Sequence, residues 1–277
     1  QLCVKYLSKN ANDINWAIAG RNKNKLEDLK DRLSLDVDIF IADSNDHEAL
    51  DEITKNTKVV LSTAGPFHRY SSNLVKSCVK NSSHYVDITG EFFWIRDMID
   101  LHHEEAFSKG VRIIPACGYD SIPSDLGTLF ASSKINGPVK RIESFHAGQG
   151  GVSGGTTETG FSMGDLKLGK KMNDPYVLNP EKSVSKEQKA LGSDSVGLKK
   201  NKSINSWTGP FIMAVSNTRV VRRSAALLEL NQNGYGVNFT YQEHAFYKKF
   251  KTALLVTSVT LLFGLILRTP IRKLIRP

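Results

Sequence analysis

Short apolar segments alternate with amphipathic segments along the first 118 residues, and this alternation limits the folds that the chain can adopt. The apolar segments are INWAIA (14–19), VDIFIAD (37–43), KVVLSTAGP (58–66), HYVDITG (84–90) and VRIIPACG (111–118). The segments between them place apolar residues at helical spacing, as Leu26, Leu29 and Leu33 show. Apolar strands that alternate with helices are typical of a parallel sheet with helices on both faces. The alternation therefore predicts a Rossmann-like, doubly wound α/β domain over residues 1–118.

The pattern changes after residue 118. Three later segments alternate polar and apolar residues with no long helix between them, namely VKRIESFHAG (139–148), FIMAVSNTRVVRRS (211–224) and GYGVNFTYQEHAF (234–246). They predict strands of a second α+β domain, with a mixed or antiparallel sheet, over residues 119–246. Residues 178–206 are polar and rich in lysine and serine, which predicts a mobile, solvated insertion or, as an alternative, a lid over a substrate.

Residues 247–277 form a basic and apolar tail. The net charge is +9, and seven positive charges lie in this tail, where there is no Asp or Glu. The rest of the chain is nearly neutral, which argues against a nucleic-acid-binding surface. Residues 252–267 are uncharged but are fewer than the roughly 18 to 20 residues of a membrane-spanning helix. We expect shallow insertion or a hairpin into a membrane or lipid monolayer, while a helix packed on the second domain and a homodimer interface stay open as alternatives.

The three cysteines, Cys3, Cys78 and Cys117, have neither the spacing of a metal site nor the even number of a disulfide framework. We therefore expect no metal site and a reducing compartment. No signal-peptide pattern follows Gln1, so we predict no secretion signal. Together with the tail, this favours association with a lipid droplet or with the cytoplasmic face of an organelle membrane.

The segment AIAGRN (17–22) ends a strand in the way that a dinucleotide-binding domain ends its second strand. An acid at this point binds the ribose hydroxyl of NAD, whereas an arginine pairs with the 2′-phosphate of NADP. Gly20, Arg21 and Asn22 hold this position, and Arg21 can grip a phosphate through two hydrogen bonds. We therefore expect NADP rather than NAD, although a solvated turn residue is the alternative for Arg21.

Two further strand ends lie where such folds contact their cofactor. Asp43 follows the next strand and either touches the adenine or helps to cap the following helix. Thr63, Ala64, Gly65 and Pro66 follow the third strand and offer small residues near the middle of the cofactor. No glycine-rich GxGxxG turn precedes AIAGRN, so we expect the first strand and its phosphate loop to lie before Gln1, or to have been lost.

Several motifs in order resemble the saccharopine dehydrogenase-like oxidoreductase family. They are AGRN, TAGPF, YVDITGE, CGYDSIPSDLGT, GGTTETG (154–160), NTRVVRRS (217–224) and YGVNFTYQE (235–243). The resemblance covers almost the whole chain and implies a two-domain, NAD(P)-dependent oxidoreductase. It also implies association with membranes or lipid droplets, because members of the family are commonly found there. Related bacterial members are trans-acting enoyl reductases in glycolipid biosynthesis.

The motif CGYDSIPSDLG follows a strand, at the edge where α/β folds bind ligands. Tyr119 and Asp120 are the candidate catalytic residues, although helix capping alone would also explain them. Glu91 is read as a first-turn acid of the next helix or as a substrate contact. We predict an NADP-dependent oxidoreductase that acts on a small-molecule or lipid substrate. The rival hypothesis is a non-catalytic lipid-surface or scaffold protein with a degenerate Rossmann fold, or an inactive fragment that lacks its phosphate loop.

Overall fold

The computed structural model describes residues 1–11, 13–148, 154–166 and 168–275. The helices are α1 (Leu2–Asn10), α2 (Lys23–Arg32), α3 (His47–Lys55), α4 (Phe67–Tyr70), α5 (Ser72–Lys80), α6 (Phe92–Ser108), α7 (Ile122–Ser133), α8 (Gly154–Asp165), α9 (Lys170–Asn173), α10 (Lys186–Leu191), α11 (Ala214–Leu230), α12 (Phe250–Arg268) and α13 (Arg272–Ile275). The strands are β1 (Ile18–Gly20), β2 (Ile39–Ile41), β3 (Val59–Ser62), β4 (His84–Asp87), β5 (Ile113–Ile114), β6 (Arg141–His146), β7 (Lys199–Asn201), β8 (Ser206–Gly209) and β9 (Thr240–Tyr247).

The chain forms two compact units, and each unit is built from three separate segments of the sequence. Unit 1 contains residues 1–64, 69–86 and 102–113. Unit 2 contains residues 65–68, 87–101 and 114–277. Strand β3 therefore lies in unit 1, whereas β4 and β5 are divided, because their last residues, Asp87 and Ile114, belong to unit 2. The domain boundaries predicted at residues 118 and 246 remain predictions.

The strands of the first 118 residues form two sheets, β1-β2 and β3-β4-β5. Strands β1 and β2 are parallel, with Gly20 opposite Ile41. The strand order 3-2-1-4-5-6 of a doubly wound sheet becomes 3-2 and 4-5-6 when its first strand is removed. The two observed sheets match these orders when β1 and β2 are counted as strands 2 and 3, and β3, β4 and β5 as strands 4, 5 and 6. None of the described residues forms a strand that joins the two sheets.

Helices α3 and α5 of unit 1 pack together through polar side chains as well as apolar ones. Thr54 and Ser77 are buried, and their hydroxyl oxygens lie 2.8 Å apart. A separate apolar cluster contains Val79, Ala106 and Val111. These contacts hold helices on unit 1 as the amphipathic pattern of the sequence predicts.

Unit 2 contains a four-stranded mixed sheet with the order β6-β9-β8-β7. Strands β6 and β9 are parallel, whereas β8 runs antiparallel to both β9 and β7. Together with the parallel pair β1-β2, this sheet confirms the predicted α/β class with a second, mixed sheet. Strand β6 lies within the first predicted strand segment, and β9 covers the second half of the third and extends one residue beyond it.

The prediction of a strand over residues 211–224 is wrong, because most of these residues form helix α11. Val221, Ala225 and Leu228 lie on one face of α11 and pack against a cluster that includes Phe239 and Tyr241. The helical spacing of these apolar residues outweighs the strand preference of Val220 and Val221. Polar residues also lie on the buried face of α11, which hides its helical pattern. These are Ser216, Asn217, Thr218, Arg219 and Arg222.

Residues 178–206, which we predicted to be a solvated insertion, contain α10 and β7. Leu178 and Asn179 at its start are buried. The Ser185 side chain caps α10 by accepting a hydrogen bond from the backbone N–H of Gln188, whose side chain bonds back to the N–H of Ser185. The segment therefore has regular structure of its own and contributes the edge strand of the unit 2 sheet.

The predicted apolar tail forms helix α12, within which Phe250–Leu267 is long and apolar enough to cross a membrane by length and composition alone. Only 11% of this 18-residue stretch is buried. The helix is longer than the uncharged stretch 252–267 of the sequence, because it takes in Phe250, Lys251 and Arg268 at its ends. Residues 276 and 277 of the predicted tail lie outside the described residues.

Candidate functional site

The turn after β1 in unit 1 contains the predicted cofactor residues Gly20, Arg21 and Asn22. The backbone N–H of Ala42 donates a hydrogen bond of 3.1 Å to the carbonyl oxygen of Gly20, so the ends of β1 and β2 lie side by side. The Asn22 side chain caps α2 by accepting a hydrogen bond of 3.0 Å from the N–H of Lys25. Asn22 therefore shapes the turn, whichever ligand the turn binds.

Arg21 is exposed, and its guanidinium makes no hydrogen bond or ion pair with any of the described residues. Asp43, at the neighbouring strand end, uses its carboxylate to accept a hydrogen bond of 3.0 Å from the backbone N–H of Asn45. The two side chains thus differ in what they can offer. Arg21 keeps all its donors for a ligand, whereas Asp43 stabilises its own turn.

The four predicted residues after β3 are divided between the two units. Thr63 and Ala64 end a segment of unit 1 and are exposed, whereas Gly65 and Pro66 begin a segment of unit 2. The N–H of Ala64 donates a hydrogen bond of 3.4 Å to the Ser62 hydroxyl. The sequence pattern does not predict this division between units.

A buried carboxylate of unit 2, Glu91, holds residues 65–68 in place. Its Oε1 accepts a hydrogen bond of 3.0 Å from the backbone N–H of Phe67, and its Oε2 accepts one of 2.8 Å from that of His68. The Thr159 hydroxyl of α8 donates a third, at 3.3 Å. Glu91 directly precedes α6, whose first turn contains no acid, and its side chain accepts the hydrogen bonds of these residues. The expectation that Glu91 is a first-turn acid of α6 is therefore wrong.

Asp87 fixes the two strand-end segments that follow β4 and β5. Its Oδ1 accepts hydrogen bonds of 2.9 Å from the backbone N–H groups of Thr89 and Ala116, and its carbonyl oxygen accepts one of 2.7 Å from Cys117. A Cβ atom on Gly118 would lie 3.1 Å from the Cβ atom of Ile88, so a larger residue there would have to displace Ile88 slightly. The segment that carries the candidate catalytic residues is therefore firmly anchored at its start.

The candidate catalytic residues Tyr119 and Asp120 are both exposed, Tyr119 to 90%. Nearby protein partly desolvates the Asp120 carboxyl and raises its pKa. Burial, followed by the charge of Asp87, also raises the pKa of the Cys117 thiol, so this cysteine stays protonated and is a poor nucleophile. Ser121 is the buried member of this segment, and its hydroxyl donates a hydrogen bond of 3.1 Å to Oδ1 of Asn217 in α11.

Asn217 connects Ser121 to a buried polar cluster that the sequence analysis missed. Its Nδ2 donates a hydrogen bond of 3.1 Å to Oε2 of Glu243, and the Tyr241 hydroxyl donates one of 2.8 Å to Oε1. The side chain of Glu243 is 0% exposed. Burial and the Glu243 carboxylate raise the pKa of Tyr241 well above its ordinary value, so Tyr241 remains a donor to Glu243.

His146, the last residue of β6, lies beside this cluster. Its Nε2 is 2.9 Å from the Ser144 hydroxyl and 3.8 Å from Oε1 of Glu243. Ser144 is opposite Glu243 in the parallel pair β6-β9, so the two strands point these side chains to the same face of the sheet. The imidazole ring stacks on Phe211 with centroids 4.3 Å apart, and 27% of the side chain is exposed.

A second buried group links α11 to the segment 178–206. Asp194 accepts hydrogen bonds of 2.7 Å from Arg219 and 3.1 Å from Arg222, whose side chains are 2% and 1% exposed. Arg219 also lies over the ring of Phe92, with its guanidinium carbon 4.8 Å from the ring centroid. No group of His, Cys, Asp and Glu side chains that could hold a metal ion occurs within the described ranges.

The comparison with protein families matches residues 1–114 to the saccharopine dehydrogenase NADP-binding domain. A trans-acting enoyl reductase of Mycobacterium tuberculosis is 34% identical in an alignment of 265 positions that covers 88% of this chain and 62% of that protein. The trans-acting enoyl reductase of Mycobacterium ulcerans is 33% identical in an alignment of 264 positions that covers 87% of this chain and 61% of that protein. The chain thus spans about three fifths of the length of these relatives.

Among solved structures, saccharopine dehydrogenase (L-Glu forming) of Saccharomyces cerevisiae matches with a TM-score of 0.44 and 21% identity. The match covers 52% of this chain and 31% of that protein. The resemblance that we identified from the motifs is confirmed by the family match and by the enoyl reductase homologues. Residues 1–114 match the model of the saccharopine dehydrogenase NADP-binding domain, and 88% of the chain is similar in sequence to a protein named trans-acting enoyl reductase.

Proposed function

We propose that the chain is an NADP-dependent oxidoreductase that reduces the carbon–carbon double bond of an α,β-unsaturated acyl group. The substrate class comes from its homology to the trans-acting enoyl reductases. The observation that carries the cofactor proposal is the exposed Arg21, which keeps all its donors at the end of β1 within the NADP-binding family match. An arginine there favours the extra phosphate of NADP over the bare ribose of NAD.

Fluorescence titration with NADPH and NADH tests this proposal. We expect NADPH to bind more tightly than NADH, and Arg21→Asp to weaken NADPH much more than NADH. Arg32→Asp, at the other end of α2 and also exposed, is the matched control and should change neither affinity. If Arg21→Asp lowered the affinities for NADPH and NADH equally, Arg21 would not be the residue that recognises the 2′-phosphate.

A chimera separates the two hypotheses about the phosphate loop. It carries, ahead of Gln1, the first strand and glycine-rich turn of a trans-acting enoyl reductase. If only the chimera binds NADPH, the body of the chain is competent and the phosphate loop supplies the missing contacts. If neither form binds, the rival hypothesis of a non-catalytic lipid-surface protein is favoured.

We further propose that the protein acts at a membrane or lipid-droplet surface with α12 lying in the plane of that surface. The helix is docked on unit 2 at both ends: Phe250 contacts Trp207, with ring centroids 4.7 Å apart, and Arg272 just beyond it pairs with Asp165 at 3.0 Å. Between these points Ala253 and Thr257 are buried. A spanning orientation would break these contacts, whereas an interfacial one keeps them.

The free face of α12 suits a lipid surface because it is leucine-rich and carries basic residues at its ends. Leu255 is 66% exposed, Leu262 58% and Leu265 60%. Lysines precede the helix and arginines follow it, which favours anionic lipid. An enoyl substrate with a long acyl chain would then be available at the same surface.

A further inference from the structure

We propose that His146 is the proton donor of the reduction and that Glu243 is the residue that positions it. This inference rests on the proposed function, because it assigns a group to the proton step of that reaction. It concerns unit 2 alone. It also departs from the sequence analysis, which placed the chemistry on Tyr119 and Asp120.

The environment of Glu243 indicates that it needs a cationic partner. The carboxylate is fully buried, and burying an ion without a partner is costly. Tyr241 and Asn217 each donate one hydrogen bond to it, but both groups are neutral. In the part of the chain that the structure describes, the basic group within 4 Å of Glu243 is His146. The buried carboxylate therefore lies beside His146 and can hold its ring in position.

The geometry of His146 leaves one nitrogen free to reach a ligand. Nε2 faces the Ser144 hydroxyl and Glu243, whereas Nδ1 makes no hydrogen bond with any described residue. Stacking on Phe211 fixes the plane of the ring, and the partial exposure gives a ligand access to it. An imidazole ring whose orientation is fixed and which keeps one N–H for a ligand can act as a general acid.

Ser121 donates a hydrogen bond to Asn217, which donates one to Glu243. These bonds connect His146 and Glu243 to the segment after β5, where α/β folds bind their ligands. The exposed side chains of Tyr119 and Asp120 next to it have no comparable support. The side chain of Tyr119 is 90% exposed, and none of the described residues of unit 2 makes a hydrogen bond with its hydroxyl. His146 is therefore better supported as the proton donor than Tyr119 or Asp120.

A bound reduced nicotinamide would supply a hydride to the double-bond carbon farther from the carbonyl, and the π electron pair would move to the carbon next to the carbonyl. The imidazolium N–H bond of His146 breaks, its electron pair stays on nitrogen, and the proton forms the new C–H bond at the carbon next to the carbonyl. The neutral imidazole then takes a proton from solvent, while Glu243 keeps the ring in place.

Carbethoxylation of histidines, read by peptide mass spectrometry on the full chain, tests whether His146 touches the acyl ligand. The probe is the butyryl thioester of N-acetylcysteamine, which cannot be reduced further. We expect it to slow the labelling of His146 at least fivefold. The exposed His103 of α6 is the internal control and should be labelled at the same rate with and without the probe. Equal labelling of His146 in both conditions would overturn the inference.

Kinetics with the matching crotonyl thioester test the proton step in whichever form binds NADPH. His146→Gln should lower kcat about 100-fold, at the lower end of what general acids contribute, with little change in KM. The fall in kcat at alkaline pH should disappear in this variant, and added imidazole should restore part of the rate to His146→Ala. His103→Gln should leave all of these values unchanged. Full activity in His146→Gln would overturn the inference alone.

These outcomes separate this inference from the proposed function. Loss of NADPH binding in every form, with His146 still protected by the thioester, contradicts the cofactor proposal but keeps the acyl site. NADPH binding with an unprotected His146 contradicts the inference and keeps the cofactor proposal. If no form binds NADPH and the thioester does not protect His146, both the cofactor proposal and this inference are contradicted.

Discussion

The carboxylate of Glu91 binds His68 twice, through the backbone N–H at 2.8 Å and with 2.7 Å to Nδ1 of the ring. Glu91 is 1% exposed, so these contacts form away from water. They hold in unit 2 the short segment 65–68, which includes two of the residues predicted to contact the cofactor. The shape of that segment therefore depends on a carboxylate 23 residues further along the chain.

Glu91→Gln should destabilise unit 2, because an amide group cannot accept hydrogen bonds on both sides. One of the N–H groups of Phe67 and His68 would then face a donor and lose its partner. We expect a loss of about 1–3 kcal/mol in the free energy of unfolding. Urea denaturation followed by circular dichroism measures it. Glu104→Gln, on the exposed face of α6, is the matched control and should change little.

Asp51 provides a prediction about pH in unit 1. Its hydrogen bond to Lys80, followed by the one from Ser77, lowers the pKa of Asp51 to about 2. A carboxyl group with a lowered pKa in the folded state stabilises that state above its unfolded pKa of about 3.9. This contribution is lost as the pH falls towards 2.

Asp51→Asn should remove that part of the acid sensitivity. The urea midpoint of the wild type should fall more steeply between about pH 4 and pH 2 than that of the variant, because only the wild type must protonate this carboxylate. Asp28→Asn on the exposed face of α2 should follow the wild type. Parallel curves for the wild type and Asp51→Asn would contradict the assignment.

The strands of the first 118 residues could be predicted because each is a short apolar run that ends in a small residue or a turn. Helix α11 could not, since its buried face carries charges such as Arg219 and Arg222 that the apolar period does not reveal. Tertiary contacts satisfy those charges, and Asp194, their partner, lies in a segment whose composition is that of a solvated loop.

The candidate site was predictable only where it is local. Asn22 caps the helix that follows it, and its position before an amphipathic run is a readable signal. The link from Ser121 to Asn217 joins residues 96 positions apart, so no local pattern contains it. A weak signal for Glu243 exists: it alternates with Tyr241 and Ala245 along the strand, and an acid on such a face of a strand indicates a polar partner.

Asp194→Ala should destabilise unit 2 more than any exposed substitution in the same segment. It leaves Arg219 and Arg222 buried without their counter-charge, which costs about 3 kcal/mol or more. Thermal unfolding measures the loss, and limited proteolysis should show new cleavage within residues 178–206. Glu181→Ala, exposed in that segment, should retain the stability of the wild type. An unchanged melting temperature for Asp194→Ala would mean that the arginines find other partners.

The orientation of α12 gives the last prediction. Helices that lie in an interface bind through the leucines of one face, and each leucine removed from lipid loses part of its burial energy. Leu255→Ser combined with Leu262→Ser should therefore weaken binding to vesicles of phosphatidylcholine and phosphatidylserine by about tenfold or more. Cosedimentation measures the bound fraction.

Leu126→Ser combined with Leu230→Ser is the matched control, because both leucines are exposed on other helices of unit 2. It should bind vesicles as the wild type does. High salt should release part of the wild-type protein, since its basic residues contribute to binding anionic lipid. Alkaline carbonate should release the rest, because an interfacial helix has no segment buried across the bilayer. Retention of the protein in carbonate-washed membranes would instead show that α12 leaves unit 2 and spans the bilayer.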